Sequence, residues 1–416
     1  MVNVRATLRR GVMIGLAIGA TGILGACDLI LAIGQGDRFI DPNVSCAGGE
    51  CVCVGGFGDC DGDVDTGCET ALDADPENCG ACGNLCANGA CSAGSCACDP
   101  GFVDCDGDPQ NGCEAFPEQD LHNCGACGHD CAGGLCQAGV CQPVTLSGLD
   151  FAFSLAVEGD RIYVARCGDP AVAVSSVLGG AVEPAVSVSA TQGCAEMVFA
   201  ADESLFYAQA GAIHSAKIDA WGPYPPTTIS SPSPTGSPNR FLRATPSHVY
   251  WWSYEAATST SEIVRASLFG SDQIATSAGA VTALTTDASG VFYSDETGLH
   301  FWGGGVADID PSVHAASLAI DGFELVYADA EGIFTMPPSG GTKTPLHASS
   351  SVKAIAVDAS HVFFVEGSEV RRVSRQGTGV TTLAAGETFG PYPALVIDAH
   401  AAYWINAEQR VRKVAK

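Results

Sequence analysis

The sequence predicts an all-β fold: a C-terminal β-propeller preceded by a small, loop-dominated module stapled by disulfides. Three observations predict it. Eighteen cysteines fall between Cys46 and Cys141 and recur at a fixed 45-residue offset. From Val144 onward, short runs of β-branched and aromatic residues alternate with Gly, Pro and Ser punctuation. Those runs return seven times, at intervals near 40 residues, the length of a four-stranded blade.

Residues 1–26 read as an export signal. Arg5, Arg9 and Arg10 form a positive start, and Gly11 to Ala26 is an uncharged, small and apolar run, short for a comfortable membrane span. It ends in Leu24-Gly25-Ala26-Cys27, which resembles a bacterial lipobox. The resemblance implies cleavage before Cys27, a diacylglyceryl group on its thiol, and acylation of the new N-terminus. Such chains, at about 0.8 kcal/mol per buried CH₂, would anchor the protein to a membrane. A second reading keeps residues 11–34 as an uncleaved span with Asp28 near the interface. An Asp after the lipobox Cys resembles an inner-membrane retention signal of enteric bacteria. The outer membrane or cell surface is favoured, and the leaflet stays open. Residues 27–45 serve as a tether.

The chain has 21 cysteines, an odd number. If Cys27 carries lipid, the rest pair: Cys46, Cys51, Cys53, Cys60, Cys68, Cys79, Cys82, Cys86, Cys91, Cys96, Cys98, Cys105, Cys113, Cys124, Cys127, Cys131, Cys136 and Cys141 in the module at 46–141, and Cys167 with Cys194 beyond it. Such density in an exported chain implies a disulfide scaffold in an oxidising compartment. Cys79-Gly-Ala-Cys82 and Cys124-Gly-Ala-Cys127 also have zinc-ligand spacing. Eight cysteines per repeat behind an export signal favour disulfides over zinc. A thioredoxin-like role lacks the surrounding βαβ pattern. Large aliphatic residues are scarce, so crosslinks worth about 2–4 kcal/mol each must replace an apolar core. Spacing does not reveal connectivity; it predicts only that the pairing repeats at the same offset.

The residues between the cysteines repeat as well. Gly56-Phe57-Gly58-Asp59-Cys60-Asp61-Gly62-Asp63 parallels Gly101-Phe102-Val103-Asp104-Cys105-Asp106-Gly107-Asp108, and Asn78-Cys79-Gly80-Ala81-Cys82-Gly83 parallels Asn123-Cys124-Gly125-Ala126-Cys127-Gly128. This stretch resembles the CDGD…GCE…NCGACG repeats of myxobacterial-type surface lipoproteins.

No Lys or Arg occurs from Phe39 to Asp160, and the whole chain carries 47 acidic against 19 basic residues, a net charge of −28. That argues against nucleic acid as a partner and favours cations. Asp59, Asp61, Asp63 and Asp65 alternate around Gly62, and Asp104, Asp106 and Asp108 around Gly107; Glu69 and Glu114 follow within reach. Hard cations need several oxygens converging from one tight loop, so calcium is the candidate ion. The pattern resembles the calcium loops of thrombospondin type-3 repeats. It departs from an EF-hand in its glycine position and its embedded Cys. The competing view is a solvated acidic turn.

The propeller spans 144–416. Its copies are Leu155–Ala165, Met197–Gln209, Phe241–Ser253, Leu284–Asp295, Leu318–Ala328, Ile355–Glu366 and Leu395–Ala407. Seven blades are expected, with six or eight as alternatives. The last copy lacks a fourth strand, and Val144-Thr145-Leu146-Ser147-Gly148 is expected to supply it, leaving no open edge. Asp287, Asp321, Asp358 and Asp398 share one turn position, where Asp bonds its own backbone. Tyr207, Trp251, Tyr293, Tyr327, Phe364 and Trp404 are expected to pack between blades. Segments such as Ala356-Val357-Asp358-Ala359-Ser360-His361-Val362-Phe363-Phe364 resemble bacterial propellers of the TolB-like or NHL-like kind.

No phosphate loop, HExxH, GxSxG or strand–helix GxGxxG is present. Trp221-Gly-Pro-Tyr-Pro-Pro and Phe389-Gly-Pro-Tyr-Pro are either stiff loops or aromatic platforms. The expected function is therefore a membrane-anchored binding or surface-display protein, its propeller presenting a site to a protein or glycan. The alternative is a hydrolase or lyase acting on extracellular polysaccharide at the propeller channel. Carboxylates and a His gathered in the channel would favour that alternative.

Overall fold

A computed structural model describes residues 41–416, except 48–49, 64–65, 109–111, 187–192, 219–224, 231–239, 246–247, 256–259, 268–269, 278 and 392. The side chains of Cys46 and Cys51 are likewise outside the description, as are Cys27, Asp65, the Trp221–Tyr224 segment and Tyr392. The chain forms two compact units, one from residues up to His129 with Cys136–Val140, the other from Asp130–Leu135 and Cys141–Lys416. No helix occurs among the described residues, as the strand-period pattern predicts.

The first unit is a run of short hairpins copied at the 45-residue offset. Val44–Ala47 pairs with Glu50–Cys53, and Gly89–Ser92 with Ser95–Cys98. Phe57–Gly58 pairs with Thr70–Ala71, and a single bridge joins Val103 to Ala115 at the matching place. The pairing of cysteines repeats too. Cys53–Cys68, Cys60–Cys82, Cys79–Cys91 and Cys86–Cys96 reappear as Cys98–Cys113, Cys105–Cys127, Cys124–Cys136 and Cys131–Cys141. Cysteines are the core: Cys68, Cys79, Cys86, Cys113, Cys124 and Cys136 are buried, with Ala115 the one buried aliphatic among the described residues of this unit. The Gly-Cys-Glu motif has a steric reason. Gly112 has φ +81°, and a Cβ there would collide with the backbone of Ala87.

The second unit holds seven four-stranded antiparallel sheets among the described residues. Blade 1 runs through Ala152–Glu158, Arg161–Arg166, Val172–Ser176 and Glu183–Pro184. Blade 2 uses Ala195–Ala201, Ser204–Gln209, Ala212–Lys217 and Thr227–Ser230. Blade 3 uses Arg240–Ala244, Val249–Glu255, Thr260–Ser267 and Gly270–Ser277, and blade 4 uses Ala283–Asp287, Gly290–Asp295, Gly298–Trp302 and Val306–Asp310. Blade 5 comprises Ser317–Ile320, Leu325–Ala328, Gly332–Met336 and Thr344–Ala348; blade 6 comprises Val352–Val357, His361–Glu366, Glu369–Ser374 and Thr381–Ala384. Blade 7 is built from Leu395–Ile397, Ala401–Ile405 and Val411–Ala415, completed by Val144–Thr145. Thr145 stands opposite Arg412 and Val144 opposite Lys413, so the first and last strands of the propeller segment close the ring as expected.

First strands neighbour one another around the ring, blade 7 against blade 1 included, and so surround the axis. Each junction has its own apolar cluster. Tyr163, Val172, Val198, Leu205 and Tyr207 fill that between blades 1 and 2, while Ile162, Val164, Tyr403 and Val411 fill the closing one. Tyr207, Trp251, Tyr293, Tyr327, Phe364 and Trp404 are all buried in such clusters, as their sequence position predicts. Cys167–Cys194 ties the loop after the second strand of blade 1 to the entry of blade 2.

Candidate functional site

Two acidic loops lie in the module and are built alike. Asp59 Oδ1 accepts from the Gly62 amide at 2.7 Å, and Asp104 Oδ1 accepts from the Gly107 amide at 2.6 Å. Both glycines have φ +72°, which folds each loop back on its leading carboxylate. Asp61 and Asp106 accept from the amides of Asp63 and Asp108 at 2.8 and 2.9 Å. Glu69 Oε1 accepts from Cys60 N at 3.1 Å, and Glu114 Oε1 from Cys105 N at 2.8 Å, so each Gly-Cys-Glu motif returns to its loop. Hydrogen bonds from its own amide and from that of Cys60 lower the Glu69 carboxyl below its usual value.

Asp59, Asp61 and Glu69 thereby present carboxylate oxygens within 4.8 Å of one another, and Asp104, Asp106 and Glu114 do the same. Asp63 and Asp108 lie outside these two triads. An all-oxygen donor set suits a hard cation such as calcium and would not select zinc. The Cys79/Cys82 and Cys124/Cys127 pairs have their sulfurs in disulfides, which takes them out of contention as zinc ligands.

The propeller's repeated aspartates hold turns. Asp287, Asp321, Asp358 and Asp398 each accept amides two and three residues ahead, at 2.7–3.2 Å. Three of them also hold a side chain from outside the turn: Arg375 reaches Asp321, Lys416 reaches Asp358, and the Tyr403 hydroxyl donates to Asp398. They stand on separate blades in local structural roles.

One histidine does gather carboxylates. His300 places Nδ1 2.8 Å from Asp308 and Nε2 3.1 Å from Asp295, with Thr297 Oγ1 2.9 Å from Nε2. Its ring stacks on Tyr293 at 4.9 Å. Asp295 is 3% exposed and His300 6%. These residues sit on the second, third and fourth strands of blade 4, away from the first strands that ring the axis. The cluster knits one blade together outside the channel position that would have favoured catalysis.

One residue of the inner strands carries no sequence signal. Arg243 lies on the first strand of blade 3, beside Phe199 on that of blade 2, its guanidinium carbon 6.0 Å from the ring centroid. Protein surrounds it, yet part of its surface stays open to water. Burial lowers the guanidinium below its usual value. No motif flags such a residue, because its meaning depends on which strand lines the axis.

No protein-family model matches the chain, and no curated protein matches its sequence. Solved structures match the propeller. A catalytically inactive variant of virginiamycin B lyase from Staphylococcus aureus with quinupristin gives a TM-score of 0.52 at 11% identity, over 66% of this chain and 98% of that one. The WD40 β-propeller domain of Doa1 gives 0.51 at 12% identity, over 66% and 95%. BamB from Moraxella catarrhalis gives 0.42 at 10% identity, over 68% and 94%. At these identities the likeness to the first two is one of fold.

Proposed function

We propose that the protein is an exported lipoprotein, anchored through Cys27, that presents its propeller to a protein or glycan partner at the outer membrane or cell surface. One observation carries this: every cysteine with a described side chain is in a disulfide. Such a scaffold persists in an oxidising compartment, in keeping with the signal-like residues 1–26. The module at 46–141 acts as a crosslinked spacer, with calcium at the two carboxylate triads, and the propeller at 144–416 as the binding domain. The net charge of −28 directs the protein away from nucleic acid.

Intact mass of the protein from a diderm bacterial host tests the anchor. The expected mass is that of the chain cleaved before Cys27 plus acyl groups, and Cys27→Ala abolishes the modification. An unprocessed, unacylated mass overturns it. Labelling of intact cells with a membrane-impermeant reagent tests display, since a periplasm-facing protein stays unlabelled.

A further inference from the structure

Several of the propeller's cations meet carboxylates. Lys343 pairs with Asp310, Arg371 with Glu366, Arg375 with Asp321 and Glu324, Arg412 with Glu387, and Lys416 with Asp358. Arg243, like Lys413, meets no carboxylate among the described residues. Its one hydrogen bond runs from Nη1 to the carbonyl of its own neighbour Leu242, at 2.9 Å. Glu196, on the adjoining first strand, forms no ion pair with it among the described residues. Among the described residues, Nε and Nη2 have no protein acceptor, beside the apolar face of Phe199.

Position explains where those donors lead. Leu242, one residue earlier, is 1% exposed and packs with Ala208, Ile213 and Trp251 in the junction between blades 2 and 3. Alternation along the strand puts Arg243 on the other face, opposite Tyr250 of the blade 3–4 junction, while its guanidinium lies 6.0 Å from Phe199 of blade 2, so the side chain runs round the inner edge of the sheet. An enclosed side chain that still meets water, on a strand that rings the axis, opens on the channel. An uncompensated charge in such a site is costly. In a chain so rich in carboxylates, a pairing partner was available in composition and is absent at this place.

We propose that Arg243 is the anchor of an anion-binding site in the axial channel, taking an oxyanion such as a carboxylate or phosphate group of a ligand. The planar fork offers two parallel N–H donors to such a group, and Phe199 offers an apolar face to whatever carries it. This rests on the reading that the propeller is the ligand-binding domain, and it names the chemistry of the ligand's end.

The test is calorimetric titration of the full chain with inorganic phosphate, galacturonate and, as neutral control, galactose. Saturable binding of an anion and none of galactose is expected; the phosphate and galacturonate arms show which oxyanion is preferred. Arg243→Met should weaken that binding by about ten- to a hundredfold. Arg243→Lys, which keeps the charge and loses the fork, should fall between. Removing an unpaired buried charge should leave the thermal midpoint of Arg243→Met equal to the native one or above it. Anion binding undiminished in Arg243→Met, or no saturable binding of either anion, overturns the site. If Arg243→Met fails to fold, Arg243→Lys decides: affinity equal to native overturns the fork. Loss of the site would leave surface labelling unchanged, so the two readings fail separately.

Discussion

Lys416 holds Asp358: its Nζ lies 2.6 Å from Oδ2 of that carboxylate and donates at 2.7 Å to the carbonyl of Asp398 as well. One ammonium thereby joins the first turns of blades 6 and 7. Burial on its own would raise the Asp358 carboxyl. The bond from Lys416 and the amides of Ser360 and His361 outweigh it and hold the group well below the usual carboxylate range. A carboxyl lowered in the folded state stabilises fully above its unfolded value, near 3.9, and loses that contribution as pH falls through the folded value. Lys416→Met should therefore cost about 1 kcal/mol at neutral pH and flatten the loss of stability below about pH 4. Thermal unfolding across pH measures both; an unchanged acid limb would show that the pair does not stabilise the ring.

Glu387 is the next weak point. It is 7% exposed, accepts from Trp404 Nε1 at 3.0 Å and pairs with Arg412 Nη2 at 2.7 Å. Glu387→Leu strands an indole N–H and a guanidinium together. A loss of about 3 kcal/mol in urea unfolding is expected, toward the low end because Arg412 keeps some exposure. The double variant with Arg412→Met should recover part of it; full additivity would mean the two do not interact.

The closing strand is short, and its importance can be read directly. Leu146 is buried in the last junction, and its amide donates to Val411 O at 2.9 Å. Leu146→Gly should cost about 3 kcal/mol or more through the lost side chain and the cavity it leaves. Blade 7 should become the first site of limited proteolysis. Cleavage beginning in blade 3 instead would place the weakest junction elsewhere.

The bond between Cys167 and Cys194 spans 27 residues. Replacing both by Ser should lower stability by about 3–4 kcal/mol on the loop-entropy scale. Peptide mapping without reduction should recover that bond and the two copies of the module's pattern; a Cys79–Cys82 linkage would contradict the map.

Equilibrium dialysis of the full chain against calcium at about millimolar free ion, the range of extracellular modules, should show uptake. Glu69→Gln with Glu114→Gln should reduce it sharply, since each Glu completes a triad. Absence of uptake in the native chain would identify both loops as solvated turns.

What could be read in advance follows from how local each feature is. Cysteine spacing repeats at 45 residues because the hairpins and crosslinks do, so the copied pairing was legible while the partners themselves were not. Val144 and Thr145 were legible as the missing strand because blade 7 ran out of residues. The turn role of Asp287 or Asp398 is a three-residue matter and was equally plain. Arg243 and His300 were not, since one depends on which strand faces the axis and the other on three strands of one blade meeting. Within the acidic loops, alternation pointed to Asp59, Asp61, Asp63 and Asp65 with Glu69 in reach, and among the described residues the fold brings together Asp59, Asp61 and Glu69.

The order of the module's bonds has a mechanical consequence. The loop closed by Cys60–Cys82 begins inside that of Cys53–Cys68 and ends inside that of Cys79–Cys91, which itself overlaps Cys86–Cys96; the second copy interlocks in the same way. Tension applied between the two ends of such a segment is borne by sulfur–sulfur and carbon bonds rather than by hairpin hydrogen bonds. Within each copy there is almost no slack to pay out, and Ala97, between Cys96 and Cys98, is where one linked set hands over to the next. A segment built this way behaves as a chain of rigid links, keeping its length when its ends are pulled.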